Sequence, residues 1–188
     1  MTLDRRHMLM VCAGALATAA PARAEQMSSP VTAYAFSFKS LDGGDILLAS
    51  HAGHPMLVVN TASLCGYTPQ YAGLQDLWTR YRARGLLVLG VPSNDFGGQE
   101  PGGVGDIHAT AQGEYHVTFP LTEKVAVKGT NAHPFYKWAA QLRPFEAPRW
   151  NFHKYLVGRD GELRDAWPSR VAPMSAQVTQ AVEEALRT

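Results

Sequence analysis

The stretch Met56–Pro69, MLVVNTASLCGYTP, begins with an apolar run, Met56 to Val59, stops in small polar residues and reaches Cys65 just ahead of Thr68 and Pro69. Such a run is expected to be a buried strand, and threonine followed by proline is an N-cap followed by the first position of a helix. Cys65 is therefore placed at a strand-to-helix turn. There the positive end of a helix and unpaired backbone N–H groups favour a thiolate. The second position of a C-x-x-C pair is Thr68, so no partner sulfur lies within local reach. A lone cysteine is equally often a small buried apolar residue, and the stretch alone leaves both readings open.

Outward from this stretch the chain alternates strands and helices. Val31–Ala49 reads as a hairpin around Leu41-Asp42-Gly43-Gly44. A helix from Pro69 to about Arg84 places Leu74, Leu77, Trp78 and Tyr81 on one face, and Gly85 ends it. Leu86–Val91 is a short continuous apolar run, as a buried parallel strand requires. The polar, glycine-rich segment Pro92–Gly103 follows directly. Ligands of open α/β sheets bind beyond the carboxyl ends of the strands, so this loop and the Cys65 turn are expected side by side. Further on, the sequence predicts a weak helix over Gly105–Glu114, a short strand over His116–Pro120 and a helix over Asn131–Leu142 with Phe135, Trp138, Ala139 and Leu142 inward. Trp150–Val157 and Glu162–Trp167 read as strands joined at Asp160-Gly161, and Ser175 is expected to cap a last helix facing the core through Val178, Val182, Ala185 and Leu186. The pattern is that of a thioredoxin-like α/β fold: a mixed central sheet, helices on both faces and an N-terminal hairpin extension.

At 188 residues, 46% hydrophobic and 18% charged, the chain suits one compact domain rather than a disordered one. Its N-terminus carries Asp4, Arg5 and Arg6, an apolar segment from Met8 to Ala20, and Ala22-Arg23-Ala24, an A-x-A cleavage site. Residues 1–24 are therefore expected to be a signal peptide, with Arg5-Arg6 resembling a twin-arginine export signal. Residues 25–188 are then one mature domain, exported and periplasmic. The apolar segment is too short for the roughly 20 residues that span a bilayer, so no stable membrane anchor is expected. Cleavage removes Arg5, Arg6, Arg23 and Asp4 and takes the formal charge from +1 to −1, which leaves no nucleic-acid footprint. It also removes Cys12, leaving Cys65 as the only sulfhydryl. An exported protein with one cysteine has no internal disulfide, so Cys65 must act with an external partner.

Four blocks, VVNTASLCGYTPQYAGL at 58–74, LGVPSNDFGGQEPG at 89–102, NAHPFYKW at 131–138 and WNFHKYLVGRDG at 150–161, resemble the glutathione peroxidase family in order and spacing. The resemblance implies a catalytic tetrad of Cys65, Gln99, Trp150 and Asn151. The chemistry suits these types, because peroxide cleavage by a thiolate needs hydrogen-bond donors for the sulfur and the departing oxygen. The two amides and the indole supply them without adding charge. It also implies a hydroperoxide substrate, a sulfenic acid intermediate, no bound cofactor or metal, and an external thiol reductant as co-substrate, either glutathione or a thioredoxin-type protein dithiol. The resolving cysteine of many relatives falls at Ala111 here, and Ser93 and Leu64 replace a frequent cysteine and lysine. The short segment between Trp138 and Trp150 lacks the assembly loop of tetrameric relatives, so a monomer is expected.

Two other functions fit the fold. An exported thiol–disulfide oxidoreductase would need the second sulfur that Thr68 replaces. A non-enzymatic binding protein, for example a copper carrier, would need a soft ligand set. His51, His54, His108, His116, His133 and His153 are scattered without metal-site spacing.

Overall fold

The computed structural model describes residues 31–188; the expected signal peptide, Cys12 and residues 25–30 lie outside the described residues. The apolar run and its neighbour form the sheet's centre. β3 (Met56–Thr61) pairs in parallel with β4 (Leu87–Pro92), and every residue of both is buried, which is what continuous apolar runs are selected for. β3 pairs on its other side with β5 (Lys154–Val157), antiparallel, and β5 with β6 (Leu163–Trp167), giving the order β4-β3-β5-β6. The expected hairpin forms as β1 (Ser37–Lys39) and β2 (Asp45–Leu47), a separate two-stranded sheet. The fold is a thioredoxin-like α/β fold with a mixed sheet.

Helices cover both faces. α1 (Gln70–Tyr81) buries Tyr71, Leu74, Leu77 and Tyr81 against Leu57, Val59 and Val88, together with α4 (Ala176–Ala185) through Val178, Val182 and Ala185. Twelve residues make a marginal helix in isolation; four side chains, each worth about 1.5–3 kcal/mol when buried, hold it in place. Gly85, at φ 101°, ends the 3-10 turn that continues α1. On the opposite face α3 (Pro134–Leu142) packs Phe135, Tyr136, Trp138 and Ala139 on Met56, Val58, Leu87 and Leu89.

Several expectations are corrected. Thr68 does not cap α1. Its hydroxyl turns back to donate to the Ala62 carbonyl (2.8 Å) and accept from the Cys65 N–H (3.0 Å), and the helix starts at Gln70 behind Pro69. His116–Pro120 is not a strand. His116 sits at φ 53°, and contact with the sheet starts only at the end of the segment, where the Pro120 carbonyl accepts the Gly90 N–H ahead of the bridges Gly90↔Leu121 and Ser40↔Thr122. The weak helix is α2 (Val104–His108), and Ala109–Glu114 continues it as a π-helical turn. α3 begins at Pro134 rather than Asn131, because His133 supplies the cap by accepting the Phe135 N–H on Nδ1; Leu142, its last residue, is exposed. Trp150–His153 is a turn rather than the start of β5, since Phe152 is left-handed at φ 61°. Ser175 occupies the N-cap of α4 with its hydroxyl unbonded.

Candidate active site

Cys65 lies in the turn between β3 and α1, largely buried at 7% exposure, and is a free thiol. Among the described residues its sulfur accepts one hydrogen bond, from the Tyr67 N–H at 3.4 Å. The turn is closed by Thr68, through its hydroxyl and through its N–H donating to the Cys65 carbonyl at 2.9 Å. A full turn of chain separates Cys65 from Gln70, so a local backbone N–H, and not the start of α1, is what reaches the sulfur.

Gln99 arrives from the glycine-rich loop after β4. Gly97 and Gly98 stand at φ 67° and 62°, the left-handed region that favours glycine, and turn the loop tightly. Asp95 pins the loop by accepting the Val127 and Lys128 N–H groups, and Lys124 Nζ donates to the carbonyls of Glu100, Pro101 and Gly102. The Gln99 carbonyl accepts the Leu64 N–H at 2.9 Å, which joins this loop to the Cys65 turn. Next to Gln99, Glu100 is wholly buried and donates nothing to the sulfur; its carboxylate accepts from Ser63, and burial raises its pKa above the usual carboxylate value.

Asn151, also wholly buried, donates its side-chain N–H to Gln99 Oε1 at 2.9 Å. That bond leaves the Gln99 amide nitrogen free to donate elsewhere. Trp150 is 40% exposed, with its ring 6.0 Å from that of Phe96 between centroids. The structure thus brings Gln99, Asn151 and Trp150 together beside the Cys65 turn. Ala111 and Ser93 are both wholly buried, and Leu64 is exposed.

Three positioning residues lie within the blocks quoted above but were given no role there. Asn60, at the end of β3, donates to the Trp150 carbonyl at 3.1 Å. Lys154 is wholly buried, and its Nζ donates to the Phe152 carbonyl at 2.7 Å and to Gln70 Oε1 at 2.6 Å. It therefore ties the left-handed turn that carries Trp150 and Asn151 to the first turn of α1. Gln70 passes the link on to the Ser169 carbonyl and, through its own N–H, to the Tyr67 carbonyl. Burial depresses the Lys154 pKa from 10.5 to about 7, and a neutral amine has two N–H groups for its two acceptors. Burial, reinforced by Lys154, lowers His153 to about 4, so its imidazole is neutral. A cavity of about 470 Å³ opens against this cluster, with Tyr67, Trp150 and His153 in its wall. Among the described residues no group of three or more histidine, cysteine or acidic side chains could hold a metal ion, and no helix is long and apolar enough to cross a membrane.

A mixed thioredoxin-like sheet with, among the described residues, one buried thiol at the β3–α1 turn, and with the loop carrying Gln99 bonded to that turn and to Asn151, defines a thiol-based α/β protein. The glutathione peroxidase family model matches residues 33–140. The hydroperoxy fatty acid reductase gpx1 of Synechocystis is 46% identical over 76% of this chain and 89% of its own. The glutathione peroxidase-like peroxiredoxin GPX5 of Chlamydomonas reinhardtii is 41% identical over 76% and 90%. The crystal structure of Trgpx in its apo form superposes with a TM-score of 0.70 at 32% identity, covering 85% of this chain and 98% of that one. The chain belongs to the glutathione peroxidase family.

Proposed function

We propose that this protein is a thiol-dependent peroxidase that reduces hydrogen peroxide and organic hydroperoxides through Cys65. The observation that carries the reading is the double role of Gln99, whose carbonyl holds the Cys65 turn while its side chain is held by Asn151. The Gln99 side chain is thereby held in one orientation on the loop that is bonded to the Cys65 turn. Family membership supports the same reading, and the relative named as a hydroperoxy fatty acid reductase extends it to long-chain hydroperoxides. The oxidoreductase alternative has less support, because Thr68 stands where a second sulfur would be needed and its hydroxyl is committed to the turn.

In the reaction the Cys65 thiolate attacks one peroxide oxygen. The S–O bond forms as the O–O bond breaks, and the leaving oxygen takes a proton and departs as alcohol or water. The Gln99 amide and the Trp150 indole serve as donors for the sulfur and the leaving oxygen, Asn151 holds Gln99 in the orientation that frees its nitrogen, and the Tyr67 N–H holds the sulfur in place. An external thiol then attacks the sulfenic sulfur and releases water. A second thiol frees Cys65 and leaves as the disulfide. Since Cys65 is the only cysteine among the described residues and Ala111 fills the resolving position, the reductant is external: glutathione or a thioredoxin-type dithiol protein. We further infer that residues 1–24 export the protein to the periplasm and that it acts as a monomer.

The test is direct. Reduced protein treated with hydrogen peroxide or cumene hydroperoxide is expected to give one trappable sulfenic acid, at Cys65. A thiol that stays unmodified in excess peroxide refutes the reading. Turnover measured in parallel with glutathione and with a thioredoxin system identifies the reductant.

A further inference from the structure

A polar pocket that the reaction does not use lies behind the Cys65 turn. Gln99 and Glu100 clasp the two residues ahead of the cysteine: the Gln99 carbonyl accepts the Leu64 N–H, and Glu100 Oε2 accepts the Ser63 hydroxyl at 3.2 Å. Glu100 is itself fixed, because its N–H donates to Asn94 Oδ1 at 2.9 Å and its carbonyl accepts from Lys124 Nζ at 3.0 Å. Thr61, at the end of β3, and Tyr71, in the first turn of α1, are as fully buried as Glu100, and Thr61 and Glu100 are the two side chains that act on the Tyr71 phenol. β3, α1 and the loop after β4 thus each bring one polar group to the same buried place. Among the described residues, none of Thr61 Oγ1, Tyr71 Oη and Glu100 Oε1 has a hydrogen-bond partner.

The state of Glu100 follows from what surrounds it. A carboxylate out of water needs a cation or several donors aimed at it. The donors it has both belong to Ser63, and Oε1 has none. The cation at hand, Lys124, spends its N–H groups on the carbonyls of Glu100, Pro101 and Gly102, while Asp106 on α2 adds a like charge. Burial accordingly raises the Glu100 carboxyl above the usual carboxylate range. With a proton, the carboxyl has an O–H donor for the Thr61 and Tyr71 hydroxyls and keeps an oxygen for Ser63. We propose that Glu100 is a neutral carboxylic acid and a positioning residue for the peroxidase reaction, seating the Cys65 turn by bonding Ser63 in front and the Thr61–Tyr71 hydroxyl pair behind. The role rests on the peroxidase reading of Cys65. Glu100 acts through the turn, whose place against the Gln99 loop it fixes.

Infrared difference spectra of the reduced protein against Glu100→Gln at neutral pH are expected to show, from the wild type, the carbonyl stretch of a protonated carboxylic acid. Its absence overturns the proposal. Rate constants for Cys65 oxidation by hydrogen peroxide are then measured on variants whose near-ultraviolet circular dichroism shows native packing. Glu100→Asp, too short to reach both sides, is expected to slow oxidation about tenfold, the worth of one buried hydrogen bond, and Glu100→Gln to restore most of the rate. A merely structural glutamate would lower the urea midpoint of Glu100→Asp and leave its rate constant at the wild-type value. That result, or a Glu100→Gln as slow as Glu100→Asp, overturns the proposal. Tyr71→Phe and Thr61→Val probe the far side without altering Glu100. At least one of them is expected to move the carbonyl band to higher frequency, and an unmoved band in both also overturns it. Failure of wild-type Cys65 to react with hydrogen peroxide removes the peroxidase reading itself, whereas a missing band with oxidation intact removes only the role of Glu100.

Discussion

Asn151 and Gln99 bond in one direction, amide N–H of the former to amide oxygen of the latter, and that direction decides which end of Gln99 faces outward. In Asn151→Asp the donor becomes an acceptor, and Gln99 must turn its amide over to keep a bond, presenting oxygen where nitrogen is needed. We expect Asn151→Asp to slow Cys65 oxidation at least as much as Gln99→Ala, each by about 10²-fold, the usual cost of one lost transition-state donor. Stopped-flow tryptophan fluorescence with hydrogen peroxide measures it, and wild-type rates in both variants would remove these residues from the site. Cys65, Gln99, Trp150 and Asn151 were legible because their blocks resemble those of a known family. Asn60, Gln70 and Lys154 were not, because each acts on a residue far away in the chain; Lys154 reaches Gln70 across 84 positions and Asn60 reaches Trp150 across 90.

Elements were most legible where burial is complete on both sides. β3 and β4 read correctly as continuous apolar runs, and α1 read correctly through its face of Leu74, Leu77 and Tyr81. Ends and turns misled, because a hydroxyl or a left-handed residue there answers to neighbours rather than to periodicity; Thr68 turned back to Ala62 and Phe152 turned the chain before β5. Two predictions follow from backbone geometry. A Cβ at Gly90, in the middle of β4, would lie 2.4 Å from Leu121 Cδ2 and 3.2 Å from Phe119 Cε2. Gly90→Ala should therefore cost about 1–3 kcal/mol by urea denaturation, as overpacking does. At exposed His116, whose φ of 53° is unfavourable for any side chain, His116→Gly should stabilise. The gain is about 0.5–1 kcal/mol, the left-handed penalty relieved less the added chain entropy of glycine.

For the whole molecule, the two apolar clusters on either face of the sheet enclose titratable groups whose burial makes stability depend on pH. Lys154 has a folded pKa of about 7 against 10.5 in the unfolded chain. Between those values the unfolded state holds a proton that the folded state lacks, so stability rises with pH across that window. His153, at about 4 against 6.5, adds a lower rise between those two values by the same logic. Above pH 10 the sign reverses, because burial holds the Tyr71 and Tyr155 phenols protonated in the fold while the unfolded chain releases them. The urea midpoint is expected to climb from pH 4 to about 9, and Lys154→Met should flatten the part above pH 7 while leaving the His153 part in place. An unchanged profile in that variant would mean that the lysine is not charged on unfolding in this range.

The sequence by itself determined the strand–turn–helix around Cys65, the parallel pairing of β3 with β4, helices on both faces of the sheet and the set of residues that resemble a peroxidase site, because these depend on local periodicity and on short ordered blocks. Only the tertiary structure decided that Gln99 joins the Cys65 turn to Asn151, that Lys154 staples the Phe152 turn to α1, and that Arg149 and Arg170 line one cavity with Tyr67 and Trp150. These are contacts between segments far apart in sequence, set by how β5 lies against β3 and how the loop after β4 folds over the sheet's edge. Hydrophobic spacing specifies which face of an element is buried, but not which distant polar atom it will meet there.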